Sequence, residues 1–521
     1  MDNREIIIGI DAGTSVVKAV AFDLEGNQLA SGAVRNHYQS GPEGSAQQDM
    51  ARTWRDCVKA LRLLALEVAH LPERTVAVAV TGQGDGTWLV DRMNQPVGDA
   101  WIWLDGRAAP TVERLSRGPD ARARFEATGT GLNTCQQGAQ MAHMAHHFPA
   151  LLSQAEAALH CKDWLYLNLT GVRATDPSEA SFTFGNFRTR QYDERVIEAL
   201  GLTAHRHLLP EIIEGTEVTY PLSAEAAVAT GLREGTPVCL GYVDMVMTAL
   251  GAGVHTGEEN TGCSIVGSTG VHMRAVTADR VWLNQEQTGY VIALPIPGRV
   301  TQVQTNMAAT LNLDWALNLA TSLINDFGGK VDHGMLVKQI DNWLSSAPPD
   351  SLLFHPYISE AGERGPFVNA DARASFIGLK PQHGFADLLR SVIEGMGLAA
   401  RDCYQAMGDI PREIRLSGGA GRSKQVRQIF AAAVGAPLRI NAREEAGAAG
   451  AAMMAAVAIK AYPDMESCVK TWVIPLLGAI EHPEATQLAR FTALYDSYRQ
   501  AREVLPPVWS GLHHVRKRFE N

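Results

Sequence analysis

The chain has 521 residues, 46% of them hydrophobic and 20% charged, with a formal net charge of −10. This length exceeds what one ordinary core holds and predicts two large domains. The acidic balance argues against nucleic acid or an anionic membrane as the main partner and leaves a small molecule as the expected one. At the N-terminus, MDNREIIIGID passes from charged residues into an apolar run within a few positions, without the long apolar core and cleavage site of a signal peptide. No apolar run is long enough to cross a bilayer. The cysteines at 57, 135, 161, 239, 263, 403 and 468 lack both zinc-site spacing and disulfide density, so they read as small buried residues in a reducing cytoplasm.

In chain order, residues 5–12, 16–23 and 28–36 predict a three-strand meander, 49–70 an amphipathic helix and 75–81 a buried strand. Short strands are expected at 89–91 and 97–103, and mostly helix over 135–170. A second strand-rich stretch begins at 237–243, followed by a small-residue helix at 245–253. Residues 260–266 and 270–275 then read as strand, turn, strand. Helices are expected at 385–407 and 422–434, separated by the strand and turn of residues 414–419. The Ala-rich run 446–458 reads as a close-packed helix, because Met453, Met454 and Val457 interleave with the alanines.

Residues 6–18, IIIGIDAGTSVVK, carry the first chemical signal. A β-branched strand delivers Asp11 to a turn where Gly13 permits tight backbone and Thr14 and Ser15 offer hydroxyls and N–H groups to phosphate oxygens. A second strand follows directly, so this is a hairpin. It therefore differs from Walker and dinucleotide loops, which lead into a helix. On its own such a hairpin is equally a tight turn with a solvated aspartate. A second Gly/Thr-rich hairpin, with Thr261-Gly262 and Ser268-Thr269-Gly270 in its turns, opens the other half. Together the two predict a duplicated α/β fold with a cleft between domains 1–255 and 256–521.

With both hairpins in view the chain resembles the FGGY carbohydrate kinases, within the actin, hexokinase and Hsp70 ATPase superfamily. Residues 159–171, LHCKDWLYLNLTG, and 362–379, GERGPFVNADARASFIGL, look like the two family signatures. LSGGAG at 416–421 looks like the adenosine loop, and GYVDMVMTALGAG at 241–253 looks like the segment with the catalytic aspartate. The resemblance implies a ribonuclease H-like fold, ATP and Mg²⁺, and transfer of a phosphoryl group to an alcohol. Asp244, delivered by an apolar strand, then becomes the expected general base, and Asp11 and Asp244 the expected metal carboxylates. Gly13, Thr14, Ser15, Lys18, Thr261 and Gly262 are expected at the phosphates. Lys18 stands where family members often carry arginine. Gly418, Gly419, Ala420 and Ser423 are expected at adenosine.

For the acceptor, the segment Thr81-Gly82-Gln83-Gly84-Asp85-Gly86 lies at the family's polyol-contact position. It lacks both the Arg-Glu pair of glycerol kinases and the Met-His pair of common xylulokinases. Gln83, Asp85, Trp103 and Asp105 are the expected acceptor contacts, with Trp101 and Arg107 beside them. The implied substrate is a short linear polyol, with a ketopentose as alternative. A non-catalytic sugar sensor and a chaperone-type ATPase are the readings from another class, and retention of both Asp11 and Asp244 speaks against them. A homodimer stays open. His143, His146 and His147 share a helix but lack a fourth ligand of matching spacing, so they read as a satisfied or solvated histidine face.

Overall fold

The computed structural model describes residues 4–519. Two six-stranded sheets, one from each half of the chain, form its frame. In the first, β1 (Ile6–Ala12), β2 (Val16–Asp23) and β3 (Gln28–Arg35) run as an antiparallel meander, and β4 (Thr75–Gly82) pairs parallel with β1. The edge strand β5 (Thr219–Pro221) lies antiparallel to β6 (Pro237–Leu240), which in turn runs parallel to β4. The second sheet repeats the plan. There β7 (Thr261–Val266) pairs antiparallel with β8 (Gly270–Thr277), and β9 (Tyr290–Ala293) and β10 (Arg299–Asn306) extend the antiparallel side. On the other side of β7, β11 (Glu413–Ser417) and β12 (Leu438–Ile440) add in parallel. Each half thus has an antiparallel set of strands, three in the first sheet and four in the second, with two parallel strands beside it, which is the duplicated α/β fold that the paired hairpins predict.

The continuous isoleucines of β1 follow from burial on both faces. Ile6, Ile8 and Ile10 pack with Cys57, Leu61 and Leu64 of α1 (Met50–Glu67). Ile7 on the opposite face joins a core that contains residues of both sheets. Helices α2 (Gln137–His147), α3 (Cys161–Thr170) and α4 (Pro177–Phe184) complete the first half, and α5 (Asp244–Ala252) leads out of it. In the second half lie α6 (Phe385–Ala406), α7 (Lys424–Val434) and α8 (Ala446–Ala458). The alanines explain why α8 can leave its own half and pack beside α5 under the first sheet. A Cβ at Gly450 would lie 2.1 Å from the Met247 carbonyl oxygen, so the two helices touch backbone to backbone there.

Several elements differ from expectation for local reasons. Of residues 97–103 only Ala100–Trp101 forms a strand, because Gly98 takes a positive φ of 78° just before it. The helical stretch 135–170 is interrupted by the strand Ala157–Leu159, which pairs with Trp88–Val90. Helix α7 starts two residues later than expected, behind a 3₁₀ turn at Gly419–Arg422. All seven cysteines are buried and free. No helix among the described residues is long and apolar enough to cross a membrane.

Two buried histidines tie stability to pH. His272 on β8 receives Ser264 Oγ at Nδ1 (3.0 Å), and its Nε2 lies 3.1 Å from Asn306 Oδ1. The Asn306 amide nitrogen is turned to the Gly365 carbonyl, so Nε2 is the donor and the ring is neutral. His355 donates Nε2–H to the Tyr498 carbonyl at 3.0 Å. Burial pushes both rings down from 6.5 to about 4. The folded chain therefore binds fewer protons than the unfolded chain between those values, and stability falls as pH drops through that window. The expected slope is up to ~1.4 kcal/mol per pH unit for each ring. Urea unfolding from pH 7 to 4 reads it, and His272→Gln should flatten the curve. An unchanged slope in that variant would count against the assignment.

Candidate active site

The carboxyl ends of β1, β4 and β6 meet at one point, as expected for sites on α/β sheets. Asp11 closes β1 opposite Thr81 of β4, the Gln83 N–H donates to the Ala12 carbonyl at 2.9 Å, and Thr81 Oγ donates to the Tyr242 carbonyl at 2.6 Å. Two residues beyond Tyr242, Asp244 begins α5. Gln83 and Asp244 face a cavity of about 530 Å³ between the halves. Thr14, Gln83, Asp85, Trp103 and Asp244 line it from the first half, and Thr269, Tyr290, Asn306 and Arg364 from the second. Trp103 Nε1 donates to Thr14 Oγ1 (2.8 Å), Thr14 to Gln83 Oε1 (3.0 Å), and Gln83 Nε2 to Gln48 Oε1 (2.6 Å). The chain of bonds fixes the indole as one wall and occupies the Gln83 amide.

The carboxylates of the cavity, Asp85 and Asp244, and the neighbouring Asp11 are held out of their ordinary range. Burial, then repulsion from Asp11, raises Asp244 well above the usual aspartate value. Burial pushes Asp11 up to about 6, with Lys18 opposing and Glu445 adding. Asp85 also reaches about 6 through burial, opposed by Cys135, His160 and Arg364. Asp11 is held against α8, where a Cβ on Gly447 would lie 2.3 Å from its Oδ2. Two crowded carboxylates that repel each other suit a divalent cation, which would relieve both the repulsion and the lost solvation.

Behind Asp244 lies a buried charge network that sequence reasoning left without a role. Lys162, fully buried on α3, contacts Asp163 at 2.6 Å and Asp176 at 2.5 Å. Asp176 accepts from Ser178, and Ser178 Oγ accepts the Val243 N–H at 3.0 Å, one residue before Asp244. His160 joins Asp163 at 3.0 Å and Glu179 at 3.5 Å. The signal available in the sequence was the Lys-Asp pair inside the otherwise apolar helix CKDWLYL.

The other expected site residues fall as follows. The Gly13 carbonyl is held by Asn36 Nδ2 at 2.9 Å, and Ser15 is exposed at the turn. Lys18 Nζ reaches across to Glu445 at 2.7 Å. Thr261 and Gly262 require correction, because they begin β7 and do not form its turn. Thr261 is buried and pairs with Ala275 and Glu413, and a Cβ on Gly262 would lie 2.7 Å from Pro411. The hairpin tip is Gly267-Ser268-Thr269, closed by Gly267 N–H to the Thr269 carbonyl at 3.1 Å, and Thr269 is the residue that lines the cavity.

Gly418, with a φ of 94°, passes so close to β7 that a Cβ would lie 2.4 Å from the Val266 carbonyl oxygen, while Gly419 is open. Ala420 falls within the 3₁₀ turn. Ser423 caps α7 by accepting Val426 N–H at 3.1 Å and donates to Asp341, so its hydroxyl is engaged. Asp105 also requires correction. It is fully buried and accepts from the Ala46 N–H (2.8 Å) and the Arg107 guanidinium (2.6 Å), and it does not line the cavity. Arg107 in turn stacks 3.4 Å over Trp101. His143 is bonded to Thr111 and stacked on His147, and no group of three or more His, Cys, Asp or Glu among the described residues is arranged to hold a metal.

Family models describing the N-terminal and C-terminal domains of the FGGY family of carbohydrate kinases match residues 6–251 and 262–459. The chain is 65% identical to an erythritol kinase of Brucella abortus (strain 2308), over 98% of each chain. It is 28% identical to a xylulose kinase of Escherichia coli (strain K12), over 96% of this chain and 99% of that one. Among solved structures, a ligand-bound xylulose kinase from Lactobacillus acidophilus superposes with a TM-score of 0.87 at 20% identity, covering 98% of this chain and 100% of that one, which shows the shared fold. With two repeated sheets, a cleft carboxylate at the start of α5 and both family domains matched in order, the chain belongs to the FGGY family of carbohydrate kinases and is a phosphotransferase.

Proposed function

We propose that this kinase transfers the γ-phosphoryl group of ATP to a hydroxyl of a short linear polyol, erythritol foremost. The observation that carries the reading is the position of Asp244: a half-buried carboxylate with a raised pKa, on the cavity wall between the two hairpins, beside the Gln83–Asp85 loop. The 65% identity to the Brucella erythritol kinase supports the choice of acceptor. A raised pKa makes Asp244 a better proton acceptor than an ordinary aspartate, and its fixed place at the start of α5 orients the attacking hydroxyl. Trp103 covers the carbon chain of the acceptor. The backbone tips carrying Thr14 and Thr269 face each other across the cavity and cradle the phosphates, with adenosine reaching Gly418 and Gly419. Lys18 supplies positive charge one strand away from Asp11.

Asp11 and Asp244 are the residues that would hold Mg²⁺. When bound, the ion offsets charge on the transferring phosphoryl group.

The test is kcat/KM for erythritol, glycerol, L-xylulose, D-ribulose and D-xylulose under one set of conditions. Erythritol is expected to lead glycerol by at least about tenfold, since buried polar groups left unpaired cost about 1–3 kcal/mol each. A pentulose kinase is the second reading, favoured by the 28% relative named for xylulose. A ketopentose ahead by tenfold would replace the erythritol reading with it.

A further inference from the structure

Part of the cavity wall has no role in proton or phosphoryl transfer. Asp85 and Cys135 from the first half meet Tyr290 and Arg364 from the second, with Cys135 Sγ 3.5 Å from Tyr290 Oη. Asp85 sits between two glycines with a φ of 58°, a conformation uncommon outside glycine, and its buried Oδ1 has no hydrogen-bond partner. The backbone that carries Arg364 is fastened on both sides. The buried Glu363 accepts the Met307 and Arg364 N–H groups at 2.9 and 3.0 Å, Asn306 holds the Gly365 carbonyl at 3.2 Å, and Thr288 holds that of Pro366 at 3.0 Å. The guanidinium itself, which lines the cavity, has no hydrogen-bond or ion-pair partner among the described residues. A rigid base thus presents a guanidinium without a hydrogen bond to the same space as an unpartnered carboxylate oxygen from the other half.

We propose that Arg364 and Asp85 form a two-sided subsite for the hydroxyls at the end of the acceptor opposite the one phosphorylated, and that Arg364 sets acceptor length. A hydroxyl there donates to Asp85 Oδ1 while a neighbouring oxygen accepts from the guanidinium, and each group gains the hydrogen-bond partner it lacks. Because the two residues belong to different halves, a long enough acceptor also ties the halves together. A shorter one leaves Asp85 Oδ1 and the guanidinium without that hydrogen bond. The inference rests on the polyol reading and adds the residue that measures chain length.

The experiment compares wild type, Arg364→Gln and Arg364→Lys on erythritol and glycerol, with the KM for ATP and the melting temperature recorded for each. Arg364→Gln is expected to lose about 30- to 100-fold in kcat/KM on erythritol, the scale of one charge-assisted hydrogen bond, but only a few-fold on glycerol. The KM for ATP should stay within twofold. In the Asp85→Asn background the same change should cost much less, because the two groups act on one oxygen pair. Equal losses on both acceptors, additivity with Asp85→Asn, or a shift mainly in the KM for ATP would overturn the proposal. If Arg364→Gln melts early, Arg364→Lys, which keeps charge but not the bidentate fork, decides by the same acceptor ratio. If wild type prefers a ketopentose, the erythritol reading falls, and the subsite stands or falls on the ratio of that sugar to its four-carbon homologue.

Discussion

Asp244→Asn is expected to lower kcat by about 10³-fold or more while leaving nucleotide affinity within a few-fold of the parent. The loss of a positioned general base alone is typically worth about 10² to 10⁴, and the amide also loses the charge that orients the hydroxyl and holds the metal. Stability should move the other way. In the folded chain the carboxylate is raised first by burial and then by Asp11, so the native state carries a group that resists ionisation. A neutral amide of the same shape removes that conflict, and the melting temperature of the apoprotein should hold or rise. This opposition between activity and stability is what a functional carboxylate predicts and a structural one does not. A helix-capping aspartate would give the reverse pattern, near-normal turnover with a lowered melting temperature. ADP release, titration with nucleotide and a thermal melt of the same preparation distinguish the two, and turnover within a few-fold of the parent would remove Asp244 from the mechanism.

The parts of the site legible in the sequence are those written locally. The β1–β2 hairpin could be read because the isoleucines, Asp11, Gly13 and the valines beyond them lie within a few residues. Asp244 could be read because an apolar strand ends just before it. Thr261 was misplaced for a specific reason: the dipeptide Thr-Gly occurs at 261–262 and again at 269–270, at opposite ends of β7. Only the pairing with Glu413 and Ala275 shows which end is the turn. Asp105 was expected at the acceptor because it lies beside Trp101, Trp103 and Arg107 in the sequence. The Ala46 N–H that consumes one of its oxygens comes from 59 residues away, and no local pattern announces such a bond. Ser423, expected at adenosine, has its hydroxyl engaged as the cap of α7, which needs an acceptor at its first turn. Tyr290 and Arg364 reach the cavity from the other half, so no window of sequence places them beside Asp85.

Lys162→Met should be the most destabilising single substitution considered, at about 3–5 kcal/mol, the scale for removing one partner of a buried ion pair. The side chain is fully buried on α3 and lies 2.6 and 2.5 Å from Asp163 and Asp176. Burial alone would lower the lysine and raise the acids. The Asp163, Asp176 and Glu179 charges outweigh burial at Lys162 and raise it above its ordinary value, and Lys162 and His160 hold Asp163 below the usual carboxylate range. Methionine fills the stem volume but leaves two carboxylates in a dry site with His160 as the nearest counter-charge. At His160, burial is already outweighed by Glu179 and Asp163, which hold the ring above its ordinary value. The orphaned acids should therefore take up protons in the folded variant, so its deficit against wild type shrinks as pH falls from 8 to 5.5. Catalysis gives the independent readout. Asp176 reaches the Val243 N–H through Ser178, so loosening Asp176 frees the residue that precedes Asp244. In whatever fraction remains folded, kcat should fall more than the KM for ATP changes, because the shift acts on the proton acceptor and not on the nucleotide hairpins. Urea midpoints at the two pH values, with kcat measured below the unfolding transition, test both links. A Lys162→Met protein within about 1 kcal/mol of wild type would mean that the buried charges are solvated or paired in some other way, and the line of support from α3 to Asp244 would be lost with them.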